Sequence, residues 1–234
     1  MTGRRMPSGV ALTWGVRPPR GRGPAPSLTV EDIAAAAVAI ADSDGLAAVT
    51  MEAVARALGC TKMALYRYLE TKDDLVALML DAAVGRPPAA IARARGPRVG
   101  LTVWALELRT RYQDHPWAID LPLGATVMTR NQTLWLESAL GAMSEWDLGM
   151  PQMLNLVLLI NGHVLFSAKI ARDASAAATS PPDHASIPSL AAHDLPLVAE
   201  ALSAGLLSDG IDGEADFLWG VECILRGVPT TEPA

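Results

Sequence analysis

Residues 50–75, TMEAVARALGCTKMALYRYLETKDDL, decide the fold of this chain. Their spacing fits two short helices joined by a glycine turn, followed by a third helix that begins at a capping threonine. Ala55 is small enough for two helices to cross closely, Gly59 can take the positive φ of a sharp turn, and Leu65 fills the wedge between the helices. The stretch therefore predicts a helix-turn-helix.

The second helix of this motif carries side chains suited to DNA. If Thr61 caps it, Lys62 and Met63 lie on its first turn, where a helix in the major groove touches base edges. The other interpretations are a solvated lysine and a core methionine. Hydroxyl and ammonium groups nearby are suited to phosphate contacts, although a tyrosine can also be a core aromatic. The candidate DNA contacts in this stretch are Thr50, Thr61, Lys62, Met63, Tyr66, Tyr68 and Lys72.

The distribution of charge agrees with an anionic partner for the N-terminal part. The net charge is −6, but residues 1–85 hold nine Lys/Arg and nine Asp/Glu, whereas residues 86–234 hold ten and sixteen. Residues 1–27 contain five arginines and no acidic residue, and their Gly and Pro content shows no periodicity. We expect a disordered basic arm there. It is either a solubilising tail or a segment that follows DNA, in which case Arg20 and Arg22 contact it.

The rest of the chain also has a helical pattern. Alanine is abundant, aromatic residues make up only 5%, and few runs alternate like half-buried strands, so we predict an all-α protein. A capping box at Thr29 and Asp32 begins a helix over residues 30–44, and a second box at Thr71 and Asp74 begins another. These helices and residues 50–75 form a predicted DNA-binding head, residues 28–85.

Residues 86–234 are predicted to form a larger helical second domain. A stripe of apolar residues recurs at helical spacing and ends near His115; it consists of Leu101, Trp104, Leu108 and Tyr112. Further helices are expected at about 131–146, 151–173, 190–207 and 214–226, with a mobile Ala/Ser/Pro linker at about 174–189. The helices at about 151–173 and 214–227 show apolar surface beyond one stripe, which predicts a homodimer formed through them.

Several other classes of protein are disfavoured. The chain has two cysteines, Cys60 and Cys223, far apart, which fits a reducing cytoplasm without a disulfide framework. Four scattered histidines show no metal spacing, and no nucleophile elbow or phosphate loop occurs, so we predict no enzyme, no metal and no cofactor. The most apolar run, residues 153–166, is interrupted by polar residues and falls short of a membrane span.

The second domain is predicted to hold a small-molecule site. It supplies aromatic side chains together with a few polar groups within apolar stretches, as ligand cavities do. Each of these residues alone is more often an ordinary core residue. The candidate pocket residues are Trp104, Leu108, Tyr112, His115, Asn131, Trp135, Asn155, His163 and Phe166, and Asn161 is a further polar group of the same kind.

Residues 59–75, GCTKMALYRYLETKDDL, with the helices before them, resemble the N-terminal domain of TetR-family transcriptional regulators over about residues 28–84. The resemblance rests on the turn glycine, on Leu65-Tyr66-Arg67-Tyr68 and on Thr71-Lys72-Asp73. Residues 12–28, LTWGVRPPRGRGPAPSL, are similar to the arm of actinobacterial members. HPWAIDLP, from His115, and NQTLWLESAL, from Asn131, are similar to the C-terminal domain of the tetracycline-repressor-like branch.

The resemblance implies a repressor that binds a palindromic operator as a dimer and is released by a small-molecule effector. Effector binding would favour a separation of heads that no longer matches two major grooves. Two alternatives remain open at this point: an architectural DNA-binding protein without an effector, and a helical enzyme or ligand-binding protein.

Overall fold

A computed structural model of the protein describes residues 6–16, 28–121, 128–177, 195–204 and 213–228. Every regular element in these ranges is a helix, which confirms the predicted all-α class. Two short 3₁₀ turns, Leu46–Ala48 and Pro116–Asp120, join longer helices. The α-helices of the described part are α1 (Ser8–Thr13), α2 (Val30–Asp44), α3 (Met51–Ala57), α4 (Lys62–Leu65), α5 (Lys72–Val84), α6 (Pro97–Asp114), α7 (Arg130–Ala142), α8 (Met150–Ala177), α9 (Pro196–Ser203) and α10 (Glu214–Arg226).

Threonine caps begin the helices of the head at the predicted positions. The Thr29 hydroxyl accepts the Asp32 backbone N–H at 3.0 Å, and the Asp32 carboxylate accepts the Thr29 N–H at 2.9 Å. Thr71 and Asp74 form the same reciprocal box at α5. Each box satisfies donors at a helix start that otherwise have no intrahelical partner. The predicted helix over residues 30–44 therefore agrees with α2.

The N-terminal segment differs from the predicted disordered arm, because residues 8–13 form α1. The Ser8 hydroxyl and the Gly9 N–H each donate to the Asp74 carboxylate at 2.6 Å, and Val10 is 1% exposed. A Cβ on Gly9 would lie 2.4 Å from the Asp74 Cα, so the close approach depends on glycine. The expectation of disorder is wrong for α1. This helix is held by Asp74, 65 residues after Gly9, and a contact over that distance leaves no pattern in the sequence near residue 9.

In the second domain, the predicted stripe on α6 is buried. Leu101, Trp104, Leu108 and Tyr112 are all at most 8% exposed. The next helix, α7, ends at Ala142 rather than near residue 146, because the chain turns where the Trp146 N–H donates to the Met143 carbonyl.

Two further boundaries can be compared with the predictions. Helix α8 continues to Ala177, into the predicted linker, since alanine-rich sequence supports helix. Residues 178–189 of that linker lie outside the described part of the chain. Helix α9 lies within the predicted helix at 190–207, and α10 agrees with the predicted helix at 214–226.

Helix α8 is longer and more continuous than predicted. Its segment Met150–Ser175 has a mean hydropathy of 1.5 and is long and apolar enough to cross a membrane by length and composition alone. The prediction that the apolar run falls short of such a span is therefore wrong for the helix as a whole. In the structure α8 packs against α6, α7, α10 and the Pro116–Asp120 turn, so part of its apolar surface belongs to the domain core.

Candidate functional site

The turn between α3 and α4 has the predicted geometry. Gly59 has a φ of 63°, and the Cys60 N–H donates to the Ala55 carbonyl at 2.9 Å, which closes the end of α3. Ala55 is 4% exposed and Leu65 0% exposed, as expected for residues at the crossing of the two helices. The Thr61 hydroxyl accepts the Ala64 N–H at 3.2 Å and caps α4. The helix-turn-helix prediction is confirmed.

Helix α4 turns a distinct set of side chains outward. Met63 is 73% exposed and Tyr66 41% exposed, whereas Leu65 between them is buried. Lys62 is also exposed, and its ammonium nitrogen lies 5.9 Å from the centre of the Tyr66 ring. The core interpretations of Met63 and Tyr66 are wrong for this structure.

Lys62 has a partner ten residues earlier in the chain, which its local sequence did not predict. Its ammonium donates to the Glu52 carboxylate on α3. That hydrogen bond lowers the pKa of Glu52 and raises the pKa of Lys62, so both groups are charged at neutral pH. Lys62 is therefore neither buried nor an isolated solvated charge. Any anion that binds Lys62 has to compete with Glu52.

The other candidate DNA contacts lie around this surface. Thr50 is exposed, and its hydroxyl accepts the Ala53 N–H at 3.0 Å as the cap of α3. Lys72 is exposed at the first position of α5, while Tyr68 is partly buried against the head core. Arg20 and Arg22 lie outside the described residues.

A cavity of about 430 Å³ lies between α5 of the head and α6, α7, α8 and the Pro116–Asp120 turn of the second domain. Four of the nine predicted pocket residues line it: Trp104, Leu108, Tyr112 and Trp135. Asn161 on α8 lines it as well. The remaining wall is formed by Leu80, Val84, Ala118, Ile119, Leu121, Met128, Gln132, Leu136, Leu154, Val157, Leu158 and Leu165.

Three polar residues predicted for the pocket are used elsewhere in the structure. His115 Nδ1 lies 2.9 Å from an Asp42 carboxylate oxygen. The Asn131 amide donates to the Asp81 carbonyl at 2.8 Å and to the Asp81 carboxylate at 3.0 Å. His163 Nε2 lies 3.0 Å from the Phe217 carbonyl oxygen, and the two rings stack at a centroid distance of 5.0 Å. These residues join elements to one another and lie outside the cavity.

Asn155 and Phe166 are exposed on α8 and also lie outside the cavity. The cavity face of α8 carries Leu154, Val157, Leu158, Asn161 and Leu165, a helical i, i+3, i+4, i+7, i+11 series. The sequence contained this signal. An apolar stripe interrupted by one asparagine could have identified the lining face, whereas residue type alone placed Asn155 and Phe166 on it.

The cavity wall is directly linked to the head. The Trp117 indole N–H donates to Asp42 on α2 at 2.7 Å, next to lining residue Ala118. The Trp135 N–H donates to the Gly85 carbonyl at the end of α5 at 3.0 Å. Direct hydrogen bonds therefore join the cavity wall and its neighbour Trp117 to α2 and to the end of α5.

Two family models match the chain on either side of this junction. Residues 33–79 match the model for bacterial regulatory proteins of the tetR family. Residues 98–231 match the model for the tetracyclin repressor-like C-terminal domain. This chain belongs to the TetR family. Membership confirms the resemblance carried by residues 59–75 and the predicted class, a bacterial regulatory protein.

Named relatives of this TetR-family chain come from actinobacteria. The HTH-type transcriptional repressor DrrR1 of Streptomyces coeruleorubidus is 34% identical over 161 residues, which span 68% of this chain but only 59% of that repressor. An HTH-type transcriptional regulator of Saccharopolyspora erythraea is 28% identical over 211 residues, 88% of this chain and 86% of that protein. Both are named as regulators and not as enzymes.

A solved structure shows the same fold. The Streptomyces coelicolor TetR family protein ActR, in complex with (S)-DNPA, matches with a TM-score of 0.65 and 24% sequence identity. The match covers 87% of this chain and 97% of that one. The fold of the described residues is therefore that of a TetR-family protein, including the larger helical domain.

Proposed function

We propose that the protein is a transcriptional repressor that binds a palindromic DNA operator as a homodimer and releases it when a small molecule occupies the cavity. The exposure of Met63 is the observation that most directly supports DNA binding. Leu65 fills the head core, whereas Met63 is 73% exposed on the same short helix. Its position beside Lys62 suits contact with a thymine methyl in the major groove.

The surrounding side chains suit the remaining DNA contacts. Lys62 begins α4 and Tyr66 follows its last residue one turn later, so both suit contact with base edges or phosphates. The hydroxyl oxygens of Thr50 and Thr61 accept backbone N–H groups at helix starts, so each hydroxyl still carries a proton that it can donate to a phosphate. Lys72 adds a charge on α5. In the complex Lys62 exchanges Glu52 for DNA.

The homodimer is supported by apolar surface on α8 and α10. These helices pack against each other, and Leu159, Phe166 and Trp219 on them are 61%, 64% and 70% exposed. Side chains of this size on two adjacent helices are suited to burial against a second copy. The predicted dimer segments, 151–173 and 214–227, contain all three residues. Two heads held this way would reach successive major grooves.

Control by an effector is supported by the cavity. An architectural DNA-binding protein needs no such space, whereas a cavity of about 430 Å³ lies in the range of small-molecule sites. A ligand that prefers one arrangement of α5 and α6 shifts the separation of the heads through the contacts at Asp42 and Gly85. Coupling of this kind is reciprocal, so the operator weakens effector binding by the same factor. A repressor of chromosomal genes acts in the cytoplasm.

Selection of DNA from a random pool tests the DNA-binding proposal. We expect one palindromic sequence to be enriched, with an affinity that falls steeply as salt rises because phosphate contacts release counterions. The double variant Lys62→Ala/Tyr66→Ala should lose most of this affinity, whereas Arg93→Ala, an exposed cation outside the head, should retain it. Binding that is insensitive to salt or unchanged in the double variant would overturn the proposal.

Glu52→Gln tests the role of Lys62 more sharply. Removing the competing carboxylate releases Lys62 and takes a negative charge away from the DNA surface, so operator affinity should rise about fivefold at low salt. The matched control is Glu137→Gln, which makes the same charge change on an exposed site of α7. Equal affinities of the two variants would show that Lys62 does not contact DNA.

A further inference from the structure

The cavity has a wall without ionic groups. The described residues that line it include no Lys, Arg, Asp, Glu or His. Its one titratable lining side chain in that part of the chain is Tyr112, and burial raises the pKa of this phenol to about 12. The phenol is therefore uncharged at neutral pH. A charged ligand group would find no opposite charge on this wall, and burying an unpaired charge is strongly unfavourable.

Both indoles in the wall have already used their polar atoms. The Trp104 N–H donates to the Trp135 carbonyl at 2.9 Å, and the Trp135 N–H donates to the Gly85 carbonyl at 3.0 Å. The two rings meet edge to face, with their centres 5.8 Å apart and an interplanar angle of 74°. Each indole therefore offers only its apolar surface to a ligand. The two indole rings and the surrounding leucines therefore suit a ligand whose main part is apolar.

Two polar groups remain available at the wall. Tyr112 is 8% exposed, and neither its hydroxyl nor the Asn161 amide has a hydrogen-bond partner among the described residues. Gln132 differs, because its side-chain oxygen already accepts the Thr129 N–H at 3.1 Å. The hydroxyl of a tyrosine whose side chain is mostly buried, such as Tyr112, normally finds a partner. A hydroxyl or carbonyl group on a ligand can supply one to Tyr112 and to Asn161, because each can donate and accept.

We propose that the effector is an uncharged, mostly apolar molecule whose hydroxyl or carbonyl group bonds to Tyr112 and Asn161. This inference rests on the proposed function, since it takes the cavity as the effector site. The apolar body contacts Trp104 and Trp135. An organic anion or cation of the same size binds more weakly, because its charge would find no opposite charge on the described wall.

Two dyes with one shared body test the charge selectivity. N-phenyl-1-naphthylamine is neutral, and 8-anilinonaphthalene-1-sulfonate adds a sulfonate to the same anilinonaphthalene. Titrations of the full chain without DNA, followed by dye fluorescence, should give a Kd for the neutral dye at least about tenfold lower. Equal binding, tighter binding of the sulfonate, or no binding of the neutral dye overturns the inference.

Cavity variants establish where the dye binds. Leu108→Trp and Val157→Phe fill the space and should weaken the neutral dye at least about tenfold, in variants shown by circular dichroism and thermal unfolding to be folded. Asn161→Lys should reverse the preference toward the sulfonate, because it places a cation on the wall. The matched control Asn155→Lys, at an exposed site on α8 outside the cavity, should not. Unchanged dye binding in the folded cavity variants would overturn the inference.

A neutral dye that carries a ketone, 6-propionyl-2-dimethylaminonaphthalene, tests the polar contact. Tyr112→Phe should weaken this dye about fivefold, the usual effect of losing one hydrogen bond, with little change for N-phenyl-1-naphthylamine. Equal changes for both dyes would show that the hydroxyl does not take part.

The dye titrations and the operator selection can fail separately. A chain that selects an operator but prefers the sulfonate keeps the proposed function and loses this inference. A chain that prefers the neutral dye but enriches no DNA sequence loses the proposed function.

Discussion

The head and the second domain differ in how far apart in the sequence their hydrogen-bonded groups lie. In the head, the caps at Thr29 and Thr50 each join groups three residues apart. In the second domain, the Trp104 indole bonds to a carbonyl 31 residues away, and the Trp135 indole to one 50 residues away. The head packs around fully buried leucines, while the helices of the second domain form most of the wall of a cavity. We therefore expect the head to be the more rigid, locally specified unit, and the wall of the cavity to be the part that deforms around a ligand.

Trp135→Ala should have the largest effect on stability, because it acts on the long-range bonds. Trp135 is 3% exposed and ties α7 to the end of α5. Removing it should lower the free energy of unfolding by about 3–5 kcal/mol. Urea unfolding measures this change. Trp14→Ala, at a side chain that is 43% exposed, is the matched control and should change stability by only about 0.5 kcal/mol. Similar losses in both variants would contradict the comparison.

Gly9→Val should have the next largest effect, because α1 joins the two regions. It bonds to Asp74 in the head, and the Thr13 hydroxyl accepts the Arg130 N–H at 3.1 Å in the second domain. A valine side chain would overlap the α5 backbone, so α1 should separate, and the protein should lose about 1–3 kcal/mol. Ser8→Ala removes one hydrogen bond to Asp74 and should lose less. Unchanged amide exchange at residues 8–13 in Gly9→Val would show that α1 stays docked.

The reach of these bonds also explains what the sequence could predict. The cap at Thr61 and the turn at Gly59 were predicted correctly, since donor, acceptor and turn residue all lie within a few positions. His163 was wrongly placed in the pocket, because its partner, the Phe217 carbonyl, lies 54 residues away. Contacts between distant segments leave no local signal, so side-chain chemistry suggests a role without identifying the partner.

The cavity was also predicted only in part, because its wall is built from segments that lie far apart in the sequence. Trp104 and Trp135 were recognised as aromatic residues of a helical domain, and both line it. Phe166 was recognised on the same grounds and is 64% exposed. Side-chain type does not identify which face of α8 points inward. The spacing of Leu158, Asn161 and Leu165 carries that information, and it becomes decisive only once α6 and α7 are known to pack there.

A capping box begins a helix in each region, at Thr29 and Asp32 in the head and at Thr129 and Gln132 in the second domain. The two boxes can therefore be compared directly. Thr29 is exposed in the head, whereas Thr129 is 0% exposed beside cavity residues Met128 and Gln132. Thr29→Ala should lower the free energy of unfolding by about 1 kcal/mol, and Thr129→Ala by up to about 2 kcal/mol. Only the second should also weaken binding of N-phenyl-1-naphthylamine, because it loosens the wall. The serine variants, which keep the hydroxyl, are the controls. Equal dye binding in both alanine variants would count against a deformable wall.

The last effect concerns the titration of Asp74, where α1 meets the head. Burial raises the pKa of this carboxyl, but hydrogen bonds from Ser8, Thr71, Gly9 and Glu70 outweigh the burial and lower the pKa below 3.8. A carboxyl whose pKa is lower in the folded state stabilises the fold above its unfolded pKa. That contribution is lost as the pH falls through the folded value.

The stability deficit of Asp74→Asn relative to the unmodified chain should therefore stay constant above about pH 5 and shrink below about pH 4. Urea unfolding over a pH series measures it. Ser8→Ala removes one of the bonds that lower the folded pKa of Asp74, so in that background the deficit should be smaller and should reach its low-pH limit at a higher pH. A deficit that is the same at pH 3 and pH 6 would show that the Asp74 carboxylate does not hold α1 on the head. The link between the two regions would then rest on the packing of Val10 and the fit of Gly9 alone.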